Sequence, residues 1–144
     1  MDPAMPATLG DAIGTEPAWL QAWVLILGAV HIAAVAFVVG RDRGRWVVRP
    51  EPIAVVASFF AAALFMTWLY NQVGYVRLLG LAHLVCWTPV YLWILARRRP
   101  IGGGTLFAKW IYAYLSIAGV SLVIDAVDVI RHFVGDGELL HRWS

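Results

Sequence analysis

Six residues recur at steps of four and three late in the chain: Tyr114, Ala118, Ser121, Asp125, Asp128 and His132. On a helix this spacing brings all six to one face. Five are polar and Ala118 is small, while most positions between them are Val, Ile, Leu or Ala. Two carboxylates and an imidazole on one face can bind a cation, relay a proton or bond to a neighbouring helix. Possible counterparts lie in an earlier apolar stretch. Arg77 opens that stretch, and His83 follows six residues on, about 9 Å at the helical rise. Asn71 and Gln72 close the stretch before it at the same edge. Arg77, His83, Asp125, Asp128, Arg131 and His132 are therefore expected to share one polar pocket near one end of the spans.

Four chemistries fit these residues. The plainest is structural. Asp128 can pair with Arg131 at i+3 or His132 at i+4, and Asp125 can pair with Arg77 or hydrogen-bond His83 across helices. Such pairs pin two helices together and do no chemistry. The second is an ion or proton pathway through Asp125, Asp128 and His83. Further along the fourth stretch only Lys109, Tyr112 and Tyr114 continue it, so one chain supplies half a path. The third is redox: His31 and His83 lie well inside apolar stretches, and helix-borne His pairs hold haem. His31 is ten residues from Arg41 and His83 fourteen from Arg97. That is an offset of about 6 Å, awkward for two axial ligands of a b-type haem. The fourth is a divalent metal on Asp125, Asp128 and His132, a spacing that is common by chance. No G-x-S-x-G, H-E-x-x-H or G-x-x-x-x-G-K-[ST] motif is present in the chain.

The elements that must position these residues follow from composition. Of 144 residues, 61% are hydrophobic and 14% charged, and mean hydropathy is +0.73. Soluble domains are about half apolar and about a quarter charged. Disorder is excluded by the same numbers. So short a chain also has too little interior to hide that much apolar surface from water. An all-α integral membrane protein remains, its lipid-exposed backbone bonded within helices. Apolar stretches at about 19–40, 52–71, 76–96 and 106–130 each approach the roughly 20 residues that cross hydrocarbon. They make one four-transmembrane-helix bundle, a single domain over residues 1–144.

Arginine placement orients the bundle. Arg41, Arg43, Arg45 and Arg49 sit in the first loop, and Arg97, Arg98 and Arg99 open the third. The second loop offers Arg77 alone. The positive-inside rule puts the first and third loops in the cytoplasm and both termini outside. The N-terminal segment is acidic, with Asp2, Asp11 and Glu16, and lacks the basic start of a signal peptide, so the first span is expected to be retained. Trp19, Trp23, Trp68, Tyr70 and Tyr75 are expected near the outer interface, and Trp46, Tyr91, Trp93, Trp110 and Tyr112 near the inner one. Pro89 removes a backbone donor inside the third span and frees the carbonyl of Val85, which predicts a kink.

Packing seams are expected along Ala54, Ser58 and Ala62, along Ala57 and Ala61, and along Gln21, Val24, Gly28, His31, Val35 and Val38. Leu27-Gly28-Ala29-Val30-His31 matches Leu79-Gly80-Leu81-Ala82-His83 at three positions, a weak internal repeat that would set the two histidines facing each other. The lone Cys86 makes no internal disulfide. The leading expectation is a non-catalytic membrane protein with no cofactor, an accessory subunit or self-assembling unit. The lipid bilayer, further copies or a larger membrane complex are its partners. The alternatives are an ion or proton pathway and a small redox protein holding haem b or a divalent metal. The arginines flank spans and do not form a nucleic-acid surface. Ten arginines against one lysine point to a GC-rich bacterial genome and hence to a bacterial inner membrane.

Overall fold

A computed structural model describes residues 6–97 and 104–135. The short helix α1 (Leu9–Gly14) comes first and α2 (Ala18–Ile32) follows, running on as a 3-10 turn over Ala33–Phe37. A two-stranded antiparallel hairpin comes next, β1 (Val39–Asp42) and β2 (Arg45–Val48). Then follow α3 (Pro50–Val73), a 3-10 turn (Arg77–Gly80) leading into α4 (Leu81–Arg97), and α5 (Leu106–Phe133). Four helical segments are long and apolar enough to cross a membrane: Ala18–Phe37, Pro50–Val73, Arg77–Arg97 and Leu106–Phe133. Each falls within a few residues of its expected stretch, and α4 continues through Pro89.

Local chemistry sets the ends of these elements. Thr8 caps α1 and Thr105 caps α5, each hydroxyl accepting a backbone N–H three residues on. Pro50 begins α3, where its missing N–H is harmless. Gly74 ends α3 with φ +77°, a conformation that suits glycine. Its N–H donates to the Tyr70 carbonyl, and the chain turns straight into the third span.

The first loop departs from expectation. It holds a β-hairpin, closed by Arg43 and Gly44 with φ +47° and +81°. Positive φ at both central positions is the two-residue turn that matches strand twist. Arg41 stands opposite Trp46 across the strands, its guanidinium 4.7 Å from the indole centre. The last residues of the stretch at 19–40 therefore belong to a strand. Mostly exposed side chains in a short arginine-rich segment are hard to distinguish from an ordinary loop.

The core forms three layers. At the hairpin end Ala34, Val55, Ile94, Trp110, Ile111 and Tyr114 pack together. Leu27, Ala62, Trp87 and Leu122 form the middle. At the other end Ala12 of α1 packs onto Leu69, Tyr70, Tyr75 and Leu79. Outside, large apolar side chains such as Leu25, Leu64, Val123 and Phe133 stand exposed, in keeping with helices long and apolar enough to cross a membrane. Of the expected seams, Ser58 and Ala62 are buried, whereas Ala57 and Ala61 face outward. On the first span Leu27, His31 and Ala34 are buried, while Val24 and Val35 are exposed. The inward face is thus rotated from the expected one around the shared His31.

Candidate functional site

The polar stripe of α5 faces the bundle. Tyr114, Ala118 and Ser121 are buried, and Asp125, Asp128 and His132 are partly buried. Two of its acids reach the third span. Arg77 Nη1 lies 2.9 Å from Asp128 Oδ1, and His83 Nδ1 lies 2.9 Å from Asp125 Oδ2. Asp125 thus takes His83 of its two expected partners, and Asp128 takes Arg77 across helices. The His83 and Asp125 side chains are 18% and 15% exposed, enough shielding from solvent to strengthen the bond.

Gly80 permits this arrangement. A Cβ added there would lie 2.9 Å from Asp125 Oδ1 and 3.1 Å from Asp125 Cα. With no side chain at Gly80, the backbone of α5 comes against the 3-10 turn, within reach of His83 one turn on. A second close approach lies further along the same two helices, where the Tyr91 hydroxyl would be 2.6 Å from a Cβ at Gly119. Spacing and periodicity mark neither glycine; the sequence signal is the match between Gly80 and Gly28 in the repeat. The two differ, because a Cβ at Gly28 would meet nothing within 4 Å.

The repeat histidines do come together, on one indole. The His83 ring stacks on Trp87 at 3.9 Å between centroids, and the His31 ring lies 4.3 Å from it. His31 is fully enclosed, flanked also by Phe59 at 5.2 Å and Tyr114 at 5.3 Å. Its Nδ1 lies 2.7 Å from the Leu27 carbonyl of its own helix. Three aromatic rings on a ring with no exposed surface leave no space for a porphyrin, so this pair does not fit a haem. Nor do Asp125, Asp128 and His132 converge: the acids turn to separate partners on the third span, and His132 packs edge-on against Phe133. Among the described residues no three His, Cys, Asp or Glu side chains are placed to share a metal ion. Arg131 is exposed at the end of α5.

Three buried polar atoms in the centre make no hydrogen bond to any described residue: His31 Nε2, Trp87 Nε1 and the Tyr114 hydroxyl. His132 Nδ1 is a fourth, near the end of α5. The Trp110 indole N–H, by contrast, donates to the Val30 carbonyl at 2.9 Å. That bond draws on a carbonyl of the turn just before α2 tightens to 3-10 at Ala33.

Further contacts close the two ends of the bundle. Helix α1 folds over the bundle, and Tyr70 donates its hydroxyl to the Pro6 carbonyl at 2.7 Å. Gln21 ties the start of α2 to the Gly14 and Glu16 carbonyls. Tyr75 packs below α1 and bonds Glu16; burial, with the Glu16 carboxylate beside it, raises the phenol pKa well above its ordinary value. At the hairpin end Glu51 is buried and pairs with Arg97 at 3.3 Å, while Arg49 lies over Phe107 at 4.3 Å. Arg98 and Arg99 lie outside the described residues.

Beneath α1 a cavity of about 480 Å³ opens between α2, the third span and α5. Most of its wall is apolar, including Leu9, Ile13, Trp23 and Leu79, and its ionisable pairs Arg77–Asp128 and His83–Asp125 stand on the wall with the hydroxyl residues Tyr75 and Ser121.

Compared with known protein families, characterised proteins and solved structures, the chain matches none.

Proposed function

We propose that this chain is a non-catalytic multi-pass membrane protein, an accessory subunit or self-assembling unit, whose intramembrane charges hold its helices together. One observation carries the reading: both acids of the α5 stripe have partners on the third span, Arg77 for Asp128 and His83 for Asp125. Ionisable groups in a bilayer are costly unless paired, and pairing between helices accounts for keeping them without a transport step.

The hairpin arginines Arg41, Arg43, Arg45 and Arg49, with Arg97 at the same end of the bundle, favour a cytoplasmic hairpin and both termini outside. Trp46, exposed on that hairpin beside Arg41, suits an interface rich in anionic headgroups. A kink of α4 at Pro89 belongs to the same reading, as does a bacterial inner-membrane location.

The test is purification in a mild detergent, followed by native mass measurement and identification of whatever co-purifies. A stable homo-oligomer or a stoichiometric membrane partner supports the proposal. A strictly monomeric chain with no partner overturns it.

Ion or proton passage is a second reading, favoured by three buried polar atoms without a hydrogen-bond partner among the described residues, one on Trp87 against His83 and two on His31 and Tyr114 beyond it. Liposome flux through the native chain and through Asp125→Asn separates the two. Passage requires flux in the native chain that falls in the variant; the structural reading requires no flux in either.

A further inference from the structure

The cavity beneath α1 goes beyond helix pairing. We infer that it is a binding site for a neutral, membrane-soluble ring alcohol of the hydroquinone class, held by a hydrogen bond from a ligand hydroxyl to His83.

Three observations point to that class. First, the volume: about 480 Å³ suits one ring with a short tail. Such a space is too small for a two-chain phospholipid. Second, the charge balance. Both carboxylates on the wall are already engaged across helices, Asp128 by the Arg77 guanidinium and Asp125 by a hydrogen bond from the His83 ring, each at 2.9 Å. A charged ligand would be desolvated here with no free counter-charge to meet it. A neutral headgroup avoids that penalty. Third, the direction of the remaining hydrogen bond. His83 donates its Nδ1–H to Asp125. In the neutral ring that tautomer leaves Nε2 a lone-pair acceptor. At His83 such an acceptor selects a ligand O–H over a carbonyl of the same shape.

The route in is lateral. Val24, Ile26, Val120 and Ile124 are on the cavity wall and also face outward between α2 and α5. A ligand dissolved in the bilayer can therefore enter between these helices without crossing water. At the far side α1 closes the cavity with Leu9 and Ile13, and Trp23 adds a flat face against which a ring can stack.

The experiment uses the full chain in lipid nanodiscs and decylubiquinol as the probe, kept reduced, with decylubiquinone as its oxidised counterpart. Native mass spectrometry counts bound probe against concentration. The expected result is one quinol per chain, with the quinone about tenfold weaker. His83→Phe should weaken the quinol about tenfold, one net hydrogen bond, and remove its preference over the quinone. Ile13→Trp fills the cavity from α1, outside the spans, and should abolish both; it keeps the proposal testable if His83→Phe fails to fold. No quinol bound at saturation overturns the inference. So does quinol affinity unchanged in Ile13→Trp, or a phospholipid retained in the cavity in place of the probe. Oligomeric state, which tests the structural proposal, is read from the same spectra and can fail independently.

Discussion

The two ends of this bundle are held by different forces. At the hairpin end the core is aromatic and aliphatic: Phe37, Phe107, Trp110 and Tyr114 pack in series with centroids about 5–6 Å apart. Its one interhelical ion pair among the described residues, Arg97 with Glu51, has an arginine that is 51% exposed. At the α1 end two cross-helix pairs sit in the narrow seam that Gly80 opens between the third span and α5. Apolar packing holds helices wherever rings fit. Paired polar groups fix which helices meet and at what height, because an acid displaced by one turn loses its partner. Adhesion comes mainly from the first end and register from the second.

The largest test removes a ring. His31→Ala leaves a hole among Phe59, Trp87 and Tyr114 and should cost about 3 kcal/mol, read as a loss of thermal or steric-trap stability. His31→Phe should stay within about 1 kcal/mol of the native chain, since it keeps the ring and removes a buried nitrogen without a partner. If the two variants are equally unstable, the bond to the Leu27 carbonyl is holding the centre and ring packing is not.

Next is the seam. Gly80→Ala drives a methyl into Asp125 and should cost about 1–3 kcal/mol, while Gly28→Ala, at the equivalent point of the repeat, should be neutral or slightly stabilising in helix α2. Equal effects at the two glycines would dissolve the asymmetry.

The ion pairs sharpen it further. Asp128→Ala should lower stability by about 1–2 kcal/mol, because Arg77 is left partly buried without that carboxylate. Arg97→Gln should cost less than about 1 kcal/mol, its guanidinium being half in solvent.

The smallest effect is in alkali. Tyr75 has its pKa raised in the folded chain, so its contribution is fully present below the ordinary phenol value near 10 and is lost as pH rises through the raised native value. Tyr75→Phe should flatten that alkaline decline in the unfolding curve.

Much of this was legible in the residues. The spans could be read from runs of apolar residues, because no other arrangement hides that composition from water. The α5 stripe could be read from its steps of four and three, and the residues it brings to the bundle are the ones named from spacing. The partners were harder. Periodicity places Asp125 on a face but leaves His83 and Arg77 equally reachable; the choice depends on how closely two helices approach, and Gly80 decides that. The meeting of His31 and His83 on Trp87 was only half visible, since the repeat aligned the histidines and gave no hint of the indole that joins them. The β-hairpin and α1 escaped for a different reason. Both are too short for a periodic signal, and a Thr8 cap or a two-residue Arg43–Gly44 turn is a weak mark without the packing around it.

The central claim is that α5 is pinned to the third span by polar pairs, and a double-mutant cycle on His83 and Asp125 tests it most directly. Stability would be measured for the native chain, His83→Leu, Asp125→Leu and the double variant in one lipid. The account predicts a favourable coupling of about 0.6–1.7 kcal/mol, the range such intramembrane bonds give. Strictly additive losses would contradict it, leaving the 2.9 Å contact as a neighbour relation that holds nothing together.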